Sequence, residues 1–182
     1  MKTETHLHAD YTFSWSDLGD IGSGRPNMGN TASVLSYRLL QFTFKDVLTR
    51  TVGREQTAAI FVRAGHLAGM HFCRQVLDTR LGFDAFIADL ARKLLELKIG
   101  ILRIEKADLA TQRFTVTVSE DLDCSGLPVY GETVCDYDEG FLAGILECYT
   151  GKPFIVREVD CWATGDRTCR FTAEPAADQE PA

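Results

Sequence analysis

The amino-acid sequence predicts an α+β fold, and three observations carry this prediction. Apolar residues recur at steps of three and four through residues 31–98, which is the spacing of amphipathic helices. After Gly100 the period changes to two, which is typical of strands with one buried face. The alternating segments form two pairs, separated by a further helical segment at 135–149. This order indicates N-terminal helices packed on an antiparallel sheet of two hairpins.

Three helices are expected in the first half of the chain. The first begins near Thr31 and ends at Gly53, because glycine commonly stops a helix. The second covers residues 57–79, and the third covers residues 84–98. The second helix carries small residues at helical spacing, here called the small-residue stripe: Ala64, Gly65, Ala68 and Gly69. Such a stripe lets another helix approach closely, either from the same chain or from a second copy.

Two hairpins are expected in the second half. Residues 101–107 and 114–119 alternate apolar and polar side chains, and a short polar turn joins them. A helix from Cys135 to Tyr149 follows, with acidic residues in its first turn, where the helix dipole favours them. The second hairpin pairs residues 154–161 with residues 168–173.

The length of 182 residues fits one domain. We expect an N-terminal extension with a Gly/Pro loop over residues 1–30, a single domain over residues 31–173 and a disordered tail over residues 174–182. The composition, 45% hydrophobic and 25% charged, is that of a globular protein and excludes a disordered or fibrous chain.

The charge balance disfavours nucleic acid as a partner. The chain has 26 acidic and 19 basic residues, for a net charge of −7, and this sign repels phosphate backbones. It has no uninterrupted apolar stretch of membrane-spanning length, and its start lacks the apolar core of a signal peptide. A soluble, cytoplasmic protein without a membrane partner is expected.

Cysteines cluster near the C-terminus: five of the six lie in the last third of the chain. In a reducing cytosol such a cluster is more typical of a metal site than of disulfides. Cys161 and Cys169 each lie four residues from Gly165, so a hairpin around this glycine makes their thiols face each other. Cys135 begins the predicted helix, where exposed amides favour a thiolate.

The fourth position of such a site is open. Glu158 lies three residues before Cys161, so strict alternation sends the two side chains to opposite faces unless a bulge intervenes. Cys124 can take the fourth position in its place, or line a pocket. The opposing interpretation is that these residues are unrelated members of a core, since free cysteine is often buried.

Residues 134–171 carry a family resemblance. They contain Val-Cys-Asp-Tyr-Asp-Glu-Gly-Phe-Leu-Ala-Gly, then Thr-Gly-Lys, then Arg-Glu-Val-Asp-Cys-Trp-Ala-Thr-Gly-Asp-Arg-Thr-Cys-Arg-Phe. This run resembles the signature of the 4-vinyl reductase domain, a small-molecule-binding module of the nitric-oxide-ligand-binding/TRAPP-like fold. Its spacing is Cys, 22 residues, Glu, two residues, Cys, seven residues, Cys. With the Arg-Ala-Gly-x-x-x-Gly at 63–69, the resemblance covers residues 30–173.

The resemblance implies a metal site. In phenol-sensing bacterial activators, a module of this family binds structural zinc through this quartet, which here corresponds to Cys135, Glu158, Cys161 and Cys169. A site with four protein ligands is closed, so its role is structural. Cys124 is then expected to be a free thiol near the mouth of a ligand pocket.

The sequence also departs from those activators. They continue into an ATPase module and a DNA-binding helix-turn-helix, so a stand-alone module is expected here. Their phenol pocket uses a histidine and a tryptophan, and the corresponding stretches at 94–103 and 117–124 contain neither. The resemblance therefore does not imply phenol recognition.

The expected function is binding and sensing of a small hydrophobic or aromatic ligand by a homodimer without catalytic activity. The alternatives are an enzyme or accessory protein of tetrapyrrole vinyl-group reduction, as the family's name implies, and a dimeric scaffold. No site for a hydride donor is visible in the sequence. The pocket is expected to be walled by the following apolar residues, with Cys124 beside them: Phe72, Phe86, Leu90, Phe114, Val116 and Val118.

Overall fold

The computed structural model describes residues 11–177, and the chain divides into two compact units between Tyr37 and Arg38. In the first unit, a 3₁₀ turn at Trp15–Leu18 precedes helix α1, a single turn at Ile21–Gly24. These turns occupy a segment whose glycines predicted an ordered loop. Of the disordered tail predicted over residues 174–182, Glu174 and Pro175 belong to the last strand, and residues 178–182 lie outside the described residues.

Four longer helices follow in the chain. They are α2 (Val34–Val52), α3 (Arg54–Val76), α4 (Phe83–Glu96) and α5 (Asp136–Thr150). Each lies within a few residues of a helix expected from the apolar period. Gly53 separates α2 from α3 with a positive φ of 85°, a backbone conformation that glycine adopts without strain. None of the helices among residues 11–177 has both the length and the apolar character needed to cross a membrane.

One antiparallel sheet completes the fold. Its strands are β1 (Ile101–Asp108), β2 (Arg113–Ser119), β3 (Phe154–Asp160) and β4 (Cys169–Pro175), in the spatial order β1-β2-β4-β3. Each predicted hairpin is present, and β2 pairs with β4 to join them. The α+β prediction is therefore confirmed, and β4 continues two residues beyond the expected domain end at 173.

The core lies between the sheet and helices α4 and α5. Alternate side chains on each strand face inward, and α4 and α5 contribute the apolar side chains that cover them. The outward side chains of the strands are mostly polar, so one face of the sheet is buried. The main apolar residues of the core are Phe86, Leu90, Leu94, Leu102, Phe114, Val116, Val118, Leu142, Ile145, Phe154, Val156 and Phe171.

Helices α3 and α5 pack backbone against backbone. A Cβ atom added to Gly65 would lie 2.0 Å from the carbonyl oxygen of Tyr137, and one added to Gly69 would lie 2.1 Å from that of Phe141. The two glycines of the small-residue stripe are therefore covered by α5 of the same chain, whereas Ala64 is exposed and Ala68 is half-buried. The sequence left open whether the helix packed there comes from the same chain or from a second copy, and the structure shows a helix of the same chain.

The close approach is reciprocal. A Cβ atom on Gly140 would lie 1.9 Å from the carbonyl oxygen of Val62, and one on Gly144 would lie 2.2 Å from that of His66. Each helix thus presents two glycines to the backbone of the other. This close packing fixes the position of α5, which lines the cavity described below and begins directly after Cys135.

Helix α2 turns polar side chains toward the segment 121–136. Arg38 donates from Nε to the carbonyl oxygen of Leu122 at 2.8 Å and from Nη2 to that of Ser125 at 2.9 Å. Lys45 pairs with Asp136, Nζ to Oδ2, at 2.8 Å. The opposite face of α2 exposes large apolar side chains: Leu39, Leu40, Phe44 and Val47.

Candidate metal centre and ligand pocket

Four cysteine thiols meet at the end of the sheet next to the start of α5, and they form what we call the thiol cluster: Cys124, Cys135, Cys161 and Cys169. Cys124 lies in the loop between β2 and α5, and Cys135 is the N-cap residue of α5. Cys161 follows β3 and Cys169 begins β4. None is more than 1% exposed. The four cysteines belong to different loops and elements, and the fold brings their side chains together.

The distances within the thiol cluster suit a metal ion. The Sγ atom of Cys135 lies 3.9 Å from Sγ of Cys161 and 3.9 Å from Sγ of Cys169. A tetrahedral ion with metal–sulfur bonds of about 2.3 Å separates its sulfurs by about 3.8 Å. All four Sγ atoms lie within 4.8 Å of one another, and the Sγ of Cys124 lies 3.1 Å from that of Cys169, a pair that a bound ion would widen by about 0.7 Å. Four soft donors so placed can hold a metal ion.

The ionisation of the thiol cluster is strongly coupled. Hydrogen bonds with Cys124, Cys135 and Cys169 lower the pKa of Cys161, whereas hydrogen bonds with Cys124, Cys161 and Cys169 raise the pKa of Cys135. Adjacent thiolates repel one another, so the four thiols cannot all ionise without a compensating charge. A bound divalent cation would supply that positive charge.

Glu158 lies beside the thiol cluster but binds backbone amides. Glu158 lies on the buried face of β3 by plain alternation with Phe154 and Val156, and the bulge between Glu158 and Asp160 lets Cys161 reach that face too, as the sequence required for a shared site. Its Oε2 accepts hydrogen bonds from the amide nitrogens of Val134 at 3.2 Å and Cys135 at 3.0 Å. Burial raises the pKa of Glu158 to about 8. Its Oε1 is buried without a hydrogen-bond partner among residues 11–177.

Further buried carboxylates surround the thiol cluster. One oxygen each of Asp121 and Asp138 lies within 4.8 Å of the Sγ of Cys135. Burial and the neighbouring Asp123 raise the pKa of Asp121 to about 6, and burial raises that of Asp138 well above its usual range. Clustered negative charge of this kind favours a bound cation over a neutral core.

An apolar cavity lies inside the fold, between α4, α5, β1 and β2. Its volume is about 10 Å³, which is about the space that a single water needs. The rings of Phe83 and Phe114 stack at its wall, with centroids 4.9 Å apart. Only apolar side chains line it: Phe83, Ile87, Leu90, Leu102, Ile104, Phe114, Val116, Leu142, Ile145 and Leu146.

The cavity includes some of the pocket residues expected from the sequence. Leu90, Phe114 and Val116 line it. Phe72, Phe86 and Val118 are buried in the surrounding core but do not line the cavity. Cys124 lies in the thiol cluster, because the loop after β2 folds inward toward β4.

A sequence family matches the segment that holds the thiol cluster. Residues 114–175 match the 4-vinyl reductase domain, abbreviated V-4-R. Residues 114–175, about a third of the chain, thus carry a V-4-R domain. This segment begins in β2 and ends with β4, so it contains all four cysteines of the thiol cluster. The resemblance noted in the sequence is thereby confirmed.

Relatives of this chain include two uncharacterized proteins of Methanocaldococcus jannaschii. MJ1642 is 31% identical over 102 residues, which cover 56% of this chain and 60% of the relative. MJ0150 is 26% identical over 155 residues, which cover 85% of this chain and 84% of the relative. The chain thus matches less than two thirds of the length of MJ1642.

Three solved structures share the fold. The phenol-responsive sensory domain of the transcription activator PoxR, solved with phenol, has a TM-score of 0.63 and 15% identity over 81% of this chain and 76% of that one. A vinyl-4-reductase family protein of Methanocaldococcus jannaschii has a TM-score of 0.62 and 17% identity over 92% and 100%. A trafficking protein particle complex subunit 3 of Naegleria fowleri, covalently bound to palmitic acid, has a TM-score of 0.58 and 12% identity over 80% and 98%. The expected TRAPP-like fold is confirmed.

Sequence reasoning named cavity residues on α4 and β2 and missed those on β1 and α5. Leu102 and Ile104 lie on the inner face of β1, and alternation on that strand was the available signal. Leu142 and Ile145 lie on the face of α5 toward the sheet, where steps of three and four are visible in the sequence. The patterns identify buried faces, whereas the cavity depends on how those faces meet.

Proposed function

We propose that this V-4-R protein is a binding and sensing module for a small hydrophobic or aromatic ligand, stabilised by a structural zinc ion. The observation that carries the proposal is an apolar cavity lined by α4, β1, β2 and α5, two of which, β2 and α5, adjoin the thiol cluster. Val116 lines the cavity from β2, and Val118, two residues further, pairs in the sheet with Cys169. Strand β2 therefore lines the cavity at one residue and pairs with a cysteine of the thiol cluster at another.

Zinc fits the donor set. Its preferred ligands in structural sites are thiolates in a tetrahedral arrangement, and Cys135, Cys161 and Cys169 offer three of them from three elements. A zinc ion bound there holds the start of α5 to the end of β3 and to the start of β4. Its role is structural, because four protein donors leave no open coordination position.

The ligand occupies the apolar cavity after its walls move apart. The cavity has an all-apolar lining, so affinity comes from burial of apolar surface and not from directed hydrogen bonds. Two proteins of similar fold were solved with phenol and with palmitic acid, and both of these ligands have substantial apolar parts. At 10 Å³ the cavity has no room for such molecules, so binding requires displacement of side chains such as Phe83 and Phe114.

A thermal-shift screen against simple aromatics and medium-chain fatty acids tests this function. A ligand at 100 times its Kd is expected to stabilise the protein by about 2.7 kcal/mol. Val116→Phe fills the cavity and is expected to abolish the shift, whereas Val159→Phe, on the exposed part of β3, retains it. No shift with any compound counts against the ligand proposal. A tetrapyrrole absorbance that copurifies with the protein favours the enzymatic alternative instead.

The proposal includes assembly as a symmetric homodimer through α2. The exposed face of this helix carries Leu39, Leu40, Phe44 and Val47, each more than half exposed. In a two-fold interface, a surface patch packs against the same patch of the second copy. An uncharged patch suits this arrangement, because a charged patch would be repelled by the like charges of its copy. A 19-residue helix is about 28 Å long, enough for two copies to pack along each other.

Light scattering tests the dimer. The wild type is expected to show twice the chain mass of 20.2 kDa. Leu40→Lys places charge in the centre of the interface and is expected to yield a monomer that keeps its fold. Leu109→Lys, at an exposed leucine beside the β1–β2 turn, serves as the matched control and leaves the dimer intact. A monomeric wild type at micromolar concentration contradicts the dimer.

A further inference from the structure

Two side chains, Cys124 and Glu158, are candidates for the fourth ligand of the proposed metal centre. Cys135, Cys161 and Cys169 belong both to the quartet that the family resemblance implies and to the thiol cluster. We propose that Cys124 completes a four-thiolate site and that Glu158 is a positioning residue that holds the backbone before α5. This inference rests on the proposed zinc site and specifies its coordination.

The side chain of Cys124 is already in place for coordination. Its Sγ is fully buried, lies 3.1 Å from Sγ of Cys169 and belongs to the group of Sγ atoms that fall within 4.8 Å of one another. Among residues 11–177, no oxygen of Glu158 belongs to that group. A tetrahedral ion needs four donors on all sides of one point, and the four sulfurs supply them.

The loop that presents Cys124 is held independently of any metal. Asp121 Oδ1 accepts hydrogen bonds from the amide nitrogens of Asp123 at 2.8 Å and Cys124 at 3.1 Å. The Cys124 carbonyl accepts from the amide of Leu127 at 3.0 Å. From outside the loop, the guanidinium of Arg38 binds two of its carbonyl oxygens. The thiol is therefore pre-organised, which lowers the entropic cost of metal binding.

Glu158 holds the backbone next to the thiol cluster. Its Oε2 accepts hydrogen bonds from the amides of Val134 and Cys135, the last two residues before α5. Cys135 makes no side-chain cap hydrogen bond to α5. The carboxylate thereby fixes the backbone that leads into the helix, and it leaves the sulfur of Cys135 free for the metal.

Zinc K-edge X-ray absorption on the full chain tests the assignment without any variant. Four sulfurs at about 2.3 Å are expected, with no oxygen or nitrogen in the first coordination shell. Cys124→Ser is expected to lower zinc affinity at least about 100-fold, more than loss of an outer-shell partner does. Glu158→Gln keeps an oxygen acceptor for the amides, so it is expected to retain stoichiometric zinc and four sulfurs.

The outcomes separate this inference from the function on which it rests. A wild-type protein that neither contains zinc nor binds it when titrated overturns the metal site and the fourth ligand together. A zinc-loaded wild type with three sulfurs and one oxygen overturns the Cys124 assignment alone. So does zinc loss in Glu158→Gln with zinc retained in Cys124→Ser.

Discussion

Gly140→Ala is expected to cost at least about 3 kcal/mol of unfolding free energy, although alanine favours a helix over glycine by about 1 kcal/mol. The added methyl group would lie 1.9 Å from the carbonyl oxygen of Val62 and 2.8 Å from the amide nitrogen of His66. Both are backbone atoms, which no side-chain rotation can move away. Helices α3 and α5 must separate, and their close packing is lost. Urea denaturation followed by circular dichroism measures the change.

Gly82→Ala is the matched control for that experiment. Gly82 precedes α4 with a φ of −63°, which alanine adopts freely, and its added Cβ meets nothing within 4 Å. This variant is expected to change the unfolding free energy by less than about 1 kcal/mol. Equal stability of the two variants would show that α3 and α5 do not pack as closely as described.

Local patterns in the sequence were enough to place the elements of secondary structure. The change of apolar period after Gly100 separated the helices from the hairpins, because strands and helices bury side chains at different intervals. A site shared by Glu158 and Cys161 required a bulge between them, and β3 has one between Glu158 and Asp160. In each case the deciding information lies within a few residues.

Partners distant in the chain were harder to identify. The apolar period of α2 predicted a helix correctly, yet Leu39 and Val47 are exposed, because the face toward the protein carries Arg38 and Lys45 for hydrogen bonds with segment 121–136. Periodicity shows that a helix has two faces, whereas the neighbours in space decide which is covered. The small-residue stripe likewise indicated a close helix without saying which one.

The same limit applies to Cys124. Its place in the sequence, after β2 and 11 residues before Cys135, was compatible with a ligand, a pocket residue or a free thiol. The inward course of the loop after β2 decides among them, and that course depends on Asp121 and on Arg38 from α2. No local signal in the sequence links Arg38 to residues more than 80 positions away.

Removal of zinc is expected to destabilise the protein by about 4 kcal/mol when the free zinc beforehand exceeds its Kd 1,000-fold, because metal that binds only the folded chain stabilises it by mass action. Without the ion, the adjacent thiols of the thiol cluster must be protonated or repel one another. The start of α5, the end of β3 and the start of β4 are then no longer held together by the ion. Thermal unfolding before and after treatment with a zinc chelator measures the loss, and readdition of zinc restores stability.

A pair of alanine variants separates the metal from ordinary core packing. Cys169 and Cys73 are both buried, at 1% and 0% exposure, but only Cys169 belongs to the thiol cluster. Replacement by alanine removes the same sulfur atom at both positions, so the cavity term is similar. Cys169→Ala is expected to lose zinc and several kcal/mol, on the scale of the chelator effect. Cys73→Ala is expected to keep one zinc per chain and to cost only about 1 kcal/mol. Equal destabilisation by the two variants, with no response of either to chelator, would assign the thiol cluster to the hydrophobic core.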